Sequence, residues 1–176
     1  MDNNLLIFFF FNSMITESFI TKADLERWLL PEIRKDDYFK LMQQLWKPLI
    51  EKNFSFVVKS AKNNAILSVA LNFDARDEPE VQIDSKLYIV FDFLEFLEQP
   101  IRDGQLPKGK NKIFHTFMMA TSDDLGPADN VMLMKFMEKK CLDIAKKNSF
   151  SGILTTNTSP LTQVSKSFMH IVCTLA

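Results

Sequence analysis

The sequence predicts an α/β domain of the α+β kind, with a mixed central sheet flanked by helices. Three observations carry that expectation. Residues 54–60 and 65–73 are two runs rich in Val, Ile, Leu and Phe, and Lys62, Asn63 and Asn64 between them suit a hairpin turn. Residues 112–159 read as strand, polar turn, long amphipathic helix, strand and second polar turn. Such a unit sets two strands parallel and brings both turns to one end, the default ligand position of an open sheet. Helical spacing of apolar residues recurs before the hairpin and again between it and this unit.

Composition bounds the function. The 176 residues suffice for one domain with a hydrophobic core. An apolar fraction of 47% and a charged fraction of 24% are a globular balance. Phenylalanine at 17 positions and methionine at 9 predict an aromatic, adaptable core, part of which could line an apolar slot. A net charge of -1 gives no electrostatic footprint for a nucleic acid. Cys141 and Cys173 make neither a disulfide framework nor a metal pattern. His115 and His170 are too far apart in sequence for a zinc motif. No metal is therefore expected, and a reducing, cytoplasmic setting is the simpler reading.

In chain order, residues 5–11 are consecutive apolar residues, well short of the ~20 of a membrane span. A buried first strand within 1–17 is expected, with no membrane role. Thr21 should cap a short helix, answered by Asp24, with Leu25, Trp28 and Leu29 as its stripe and Pro31 as its end. Asp36 or Asp37 should cap the next, which buries Leu41, Met42, Leu45, Trp46 and Leu49 and ends or kinks near residue 47 because of Pro48. Residues 87–97 form a buried or partly buried helix, and residues 100–112 a turn region carrying Lys108, Lys110 and Lys112. Residues 113–121 are almost continuously apolar, as in a strand covered on both faces. Gly126 allows an awkward backbone angle and Pro127 suits the start of a helix to about residue 147, buried along Val131, Met134, Cys141 and Ala145 with Leu133, Met137 and Ile144 beside them. Residues 152–155 are the next strand, Ser159 and Pro160 begin another helix, and residues 168–176 give at most one strand, so the sheet should end early.

Several polar clusters are candidates for chemistry, each with an ordinary structural meaning beside it. Asp74, Asp77, Glu78 and Glu80 make a charged segment after the second hairpin strand. It is either a solvated loop or an amine-attracting rim, one member of which takes the proton that an ammonium must lose before it attacks a carbonyl. Spacing does not choose among the acids. Asp92, Glu95 and Glu98 form an acidic line that faces either solvent or a substrate cavity. His115 is either packed or directed into a cavity. The helix start after Gly126 offers unpaired amides to an anion, yet Asp123, Asp124 and Asp129 would repel a diphosphate. Thr156, Asn157, Thr158 and Ser159 either cap a helix or hold a thioester arm.

The stretches LNFDARDEPEV (71–81), FDFLEFLEQPIRD (91–103), LPKGKNKIFHTFMMATS (106–122) and SGILTTNTSPLTQ (151–163) carry a resemblance. With the element order, they resemble the Gcn5-related N-acetyltransferase superfamily. More closely, they resemble the C-terminal amine-selecting domain of the Ebony family of insect beta-alanyl-amine synthases, over residues 18–163. The resemblance implies a single acetyltransferase-like domain, incomplete at its C-terminal strands. It implies that an acyl or aminoacyl thioester on a pantetheine arm meets a small primary amine such as dopamine or histamine. Asp77 and Glu78 would be catalytic, and Asp74, Asp92 and His115 would bind the amine. Phe117, Met118, Met119, Ala120 and Thr121 would lie along the arm, Gly126 and Asn130 at the diphosphate loop, and Thr156, Asn157 and Ser159 near the thioester.

One departure narrows the donor. Acetyltransferases carry Gln or Arg, two residues, Gly, one residue, then Gly or Ala at this turn, whereas this chain reads DDLGPADNV. The missing cradle favours phosphopantetheine on a carrier protein, supplied by an adenylation and carrier module in cis or in trans. Two alternatives stay open: a catalytically inactive amine- or carrier-binding domain, and an acetyl-coenzyme A-dependent arylalkylamine N-acetyltransferase.

Overall fold

In the computed structural model, which describes residues 3–156 and 170–174, five strands form one mixed sheet. They are β1 (Phe56–Lys59), β2 (Ile66–Asp74), β3 (Ile113–Thr121), β4 (Gly152–Thr156) and β5 (His170–Thr174), side by side in that order. Five helices accompany them: α1 (Asn3–Lys22), α2 (Asp24–Trp28), α3 (Lys35–Lys52), α4 (Leu87–Gly104) and α5 (Pro127–Lys147). Only β3 and β4 run parallel, with α5 as their crossover; the other neighbours are antiparallel. The predicted hairpin, central strand, crossover helix and following strand are all present.

The two faces of β2 belong to two cores. Val69, Leu71 and Phe73 alternate onto the face covered by α1 and α3, where Ile15, Tyr38, Leu41, Met42 and Leu45 are buried. Ala70 points the other way, to Phe114, Phe150, Ile153 and the α5 residues Met137, Cys141 and Ala145. Each fully buried apolar side chain of this size stabilises the fold by about 1.5–3 kcal/mol. A bulge in β3 reshapes the first face. Leu71 opposes Met118, whereas Asn72 opposes Thr116, which leaves Phe117 as the extra residue. Strand parity switches there, so His115, opposite Phe73, and Met118, opposite Leu71, lie on the same side.

Five boundaries differ from expectation. Residues 5–11 lie within α1, not a strand. Phe8, Phe11 and Ile15 are buried at helical spacing, while Phe9 and Phe10 are half exposed. Thr21 caps nothing: it sits in the last turn of α1, donating its hydroxyl to the Glu17 carbonyl at 2.5 Å. α3 runs through Pro48 to Lys52 and closes on Asn53 in the left-handed region, φ 55°. It also starts earlier than read: Arg34 is the N-cap, and Asp36 and Asp37 lie in the first turn, where the Asp37 carboxylate accepts the Arg34 N–H at 2.8 Å. α4 likewise runs through Pro100 to Gly104, extending into the expected turn region. Two finer expectations also change. Gly126 has φ -63°, ψ 157°, an extended conformation open to any residue. The buried stripe of α5 is Met137, Cys141 and Ala145, whereas Val131 is half exposed. The helix expected from Ser159 lies outside the described residues.

Candidate active site

The segment after β2 is tied down before it presents its acids. Ala75 N–H donates to the Ile113 carbonyl at 2.9 Å, keeping the segment beside β3. Asp74, only 2% exposed, accepts the Arg76 N–H at 3.0 Å and also the Asn111 N–H. Asp74 therefore braces the turn. Asp77 sits between Lys110, 2.5 Å away, and Lys52, and these two lysines hold its carboxyl below the usual carboxylate range.

Glu78 turns inward. Its Oε1 lies 2.7 Å from His115 Nδ1 and 3.0 Å from Arg102 Nη2. Burial alone would push this carboxyl up, but the charges and hydrogen bonds of His115 and Arg102 outweigh it and hold Glu78 below its ordinary value. Nδ1 faces the Glu78 carboxylate and, at 3.2 Å, Arg102 Nη2, so Nε2 is the ring nitrogen left to meet a ligand. Nε2 has no hydrogen-bond partner among the described residues. Arg102 is the hub. It donates from Nε to Glu98 Oε2 at 2.8 Å and from Nη1 to the Ala75 carbonyl at 2.7 Å. Glu98 also accepts the Thr156 hydroxyl, joining the network to the end of β4. Burial works against the Arg102 charge, but Glu78 and Glu98 more than offset it and raise its proton affinity further.

These residues line one side of a cavity of about 690 Å³. Its aromatic wall is Phe73, Phe91 and Phe117, with the Phe117 ring 5.7 Å from that of His115 and 5.5 Å from that of Phe73. Met118, Met119 and Thr156 also line it. From α2 and α3 comes a second polar pair, in which the buried Tyr38 hydroxyl donates to Glu26 Oε1 at 2.5 Å. Burial raises the Glu26 carboxyl above its ordinary value against the opposing pull of that hydrogen bond. Burial, then the neighbouring Glu26, raises Tyr38 too. An imidazole, an anion beside it and an aromatic wall make an arrangement that can receive an aryl-bearing amine and take its proton. Among the described residues, no three His, Cys, Asp or Glu side chains gather to hold a metal ion, and no helix is long and apolar enough to cross a membrane.

No protein-family model matches the chain. A Drosophila melanogaster protein, the beta-alanyl-bioamine nonribosomal peptide synthetase ebony, is 53% identical over 150 residues. That stretch is 85% of this chain and 17% of the synthetase. A solved structure of the C-terminal condensation domain of Ebony, in complex with beta-alanyl-dopamine, superposes with a TM-score of 0.86 at 49% identity. The match covers 93% of this chain and 75% of that one. The chain belongs to the family of Ebony C-terminal condensation domains. It spans about a sixth of the length of the curated synthetase that it matches.

Within this Ebony-type domain, the sequence candidates fall into three groups. Glu78, His115, Asp92, Phe117, Met118, Met119 and Thr156 line the cavity. Asp74, Asp77, Ala120, Thr121, Gly126 and Asn130 do not. Ala120 is buried in the core, and Thr121 donates to Asn130 Oδ1 at 2.9 Å, tying the end of β3 to the start of α5. Asp123 pairs with Lys22 of α1. Asn157 and Ser159 lie outside the described residues. Sequence reasoning missed Arg102, Glu26 and Tyr38 and read Glu98 only as part of an acidic line. A Glu and an Arg four residues apart on a helix was a usable signal for the 98–102 pair. Nothing local marked Glu26 or Tyr38.

Proposed function

We propose that this domain joins an acyl or aminoacyl group, delivered as a pantetheine thioester, to the primary amine of a biogenic amine such as dopamine or histamine. The observation that carries the reading is the Glu78–His115 pair, with no partner for Nε2 among the described residues, on an aromatic-walled cavity in an Ebony-type fold. In this reaction His115 Nε2 accepts the proton that the amine gives up, and ionised Glu78 holds the ring and stabilises the resulting imidazolium. The amine nitrogen bonds to the thioester carbon, the C–S bond breaks, and the thiolate leaves and takes up a proton. Arg102 keeps Glu78 and Glu98 in position. Phe73, Phe91 and Phe117 supply the surface for an aryl group.

The donor arm belongs beside Phe117, Met118, Met119 and Thr156, in an acetyltransferase-like manner along β3. The acidic, glycine-poor turn at 123–130 favours an arm carried on a protein over free coenzyme A, so an adenylation and carrier module is the expected partner, in a cytoplasmic setting. The test is thiol release and amide formation, with beta-alanyl groups loaded on a carrier protein or on coenzyme A and a panel of amines. Amine-dependent release from the carrier-borne donor is expected. If no amine stimulates release from either donor, the reading is wrong. Saturable amine binding with no turnover would then point to the inactive binding domain.

A further inference from the structure

Glu26 plays no part in the proton transfer described above, yet it lines the same cavity. It is 2% exposed, and while its Oε1 accepts the Tyr38 hydroxyl, its buried Oε2 has no hydrogen-bond partner among the described residues. A buried carboxyl oxygen left unpaired retains its desolvation penalty until a ligand group satisfies it. Tyr38, wholly buried, holds the carboxyl in position from α3. Among the described residues, no hydrogen bond links this pair to the Glu78–His115–Arg102 network. The cavity lining therefore carries this pair apart from the Glu78–His115–Arg102 network, together with Asp92, Glu95 and the Phe73, Phe91 and Phe117 rings.

We propose that Glu26, positioned by Tyr38, forms a second polar subsite that binds a ring hydroxyl of the acceptor amine, selecting phenolic and catecholic amines over unsubstituted aryl amines. The proposal rests on the amine-acceptor reading above and sharpens it. A hydroxyl both donates and accepts, so it satisfies Oε2 whether Glu26 is ionised or protonated. An ammonium group satisfies only the ionised form. The aromatic wall suits the ring of the amine.

The experiment measures equilibrium binding of dopamine, tyramine and phenethylamine to the full chain without donor, then kcat/KM with a thioester donor. The wild type should prefer the hydroxylated amines by about 10- to 100-fold. Glu26→Leu should erase that preference by weakening dopamine and tyramine far more than phenethylamine, and Glu26→Gln, which keeps a hydrogen-bonding group, should retain part of it. Tyr38→Phe should weaken the preference without abolishing it. The proposal is overturned by a wild type that binds phenethylamine as well as dopamine. A parallel loss for all three amines in both Glu26 variants also overturns it. So does a Glu26→Gln effect that follows the donor, through lost preference for beta-alanyl over propionyl thioesters, because the carboxyl would then be reading the donor's ammonium. Donor-free binding keeps this test separate from the transfer reaction: an absence of turnover counts against the proposed function, and hydroxyl-dependent binding is still read.

Discussion

At the scale of single residues, the account turns on one ring and its anchors. Removing the imidazole with His115→Ala, or the anion with Glu78→Gln, should lower kcat by about 10²–10⁴-fold, the usual weight of a positioned base. Steady-state rates with saturating amine measure it. Arg102→Met should act on stability as well, because Glu78, Glu98 and the Ala75 carbonyl lose their shared donor. A loss of about 3–5 kcal/mol is expected from breaking such a partly buried ionic network, read from urea denaturation. The pH dependence has a definite sign. Glu78 is held below its ordinary value, so the stability it contributes is present above the unfolded carboxylate pKa of about 4.3 and is lost as pH falls through the lower folded value. The urea midpoints of wild type and Glu78→Gln should differ at neutral pH and converge below about pH 4. Glu26, raised by burial, has the opposite sign: its contribution is full at acid pH and is lost as pH rises through its folded value. The segment DARDEPEV exposed the acids in the sequence, but only the fold could rank them. Asp74 serves the turn, Asp77 serves two lysines, and Glu78 alone among the three reaches the cavity.

At the scale of elements, α1 carries the sharpest lesson about legibility. Seven apolar residues in a row have no period, so the run from 5 to 11 fits a strand or a buried helix equally well. The decision lies further along, where Ile15 continues the buried line of Phe8 and Phe11 against α3 and β2. Ile15 is fully buried, and Ile15→Ala should cost about 2–5 kcal/mol, measured as a shift in denaturation midpoint at unchanged slope. The helices α3 and α4 were legible in their periodic stretches and misread at their ends, because each continues past an internal proline. For α4 that continuation matters to the site: Glu98 and Arg102 lie on either side of Pro100 and face the network together only because the helix does not stop. The β3 bulge was also beyond sequence reading. It depends on pairing with β2, and it is what brings His115 and Met118 to one side of the strand.

At the scale of the whole molecule, the mixed sheet separates the core under α1 and α3 from the core under α5, and most of the apolar cavity lining comes from the first. The hairpin, central strand and crossover helix were readable because their apolar patterns are local. The cavity was not, because it is assembled from all five helices, β2, β3, β4 and the loop after β2, elements far apart in the chain. That assembly brings a charged network and an aromatic wall together. The central claim is that His115, oriented by Glu78, takes the proton of the attacking amine. Single-turnover amide formation from a carrier-borne beta-alanyl thioester and dopamine, compared between wild type and His115→Gln at matched binding of both substrates, tests it most directly. The account predicts amine-dependent amide formation in the wild type and a rate at least about 100-fold lower in the variant. Equal rates in the two proteins would contradict it.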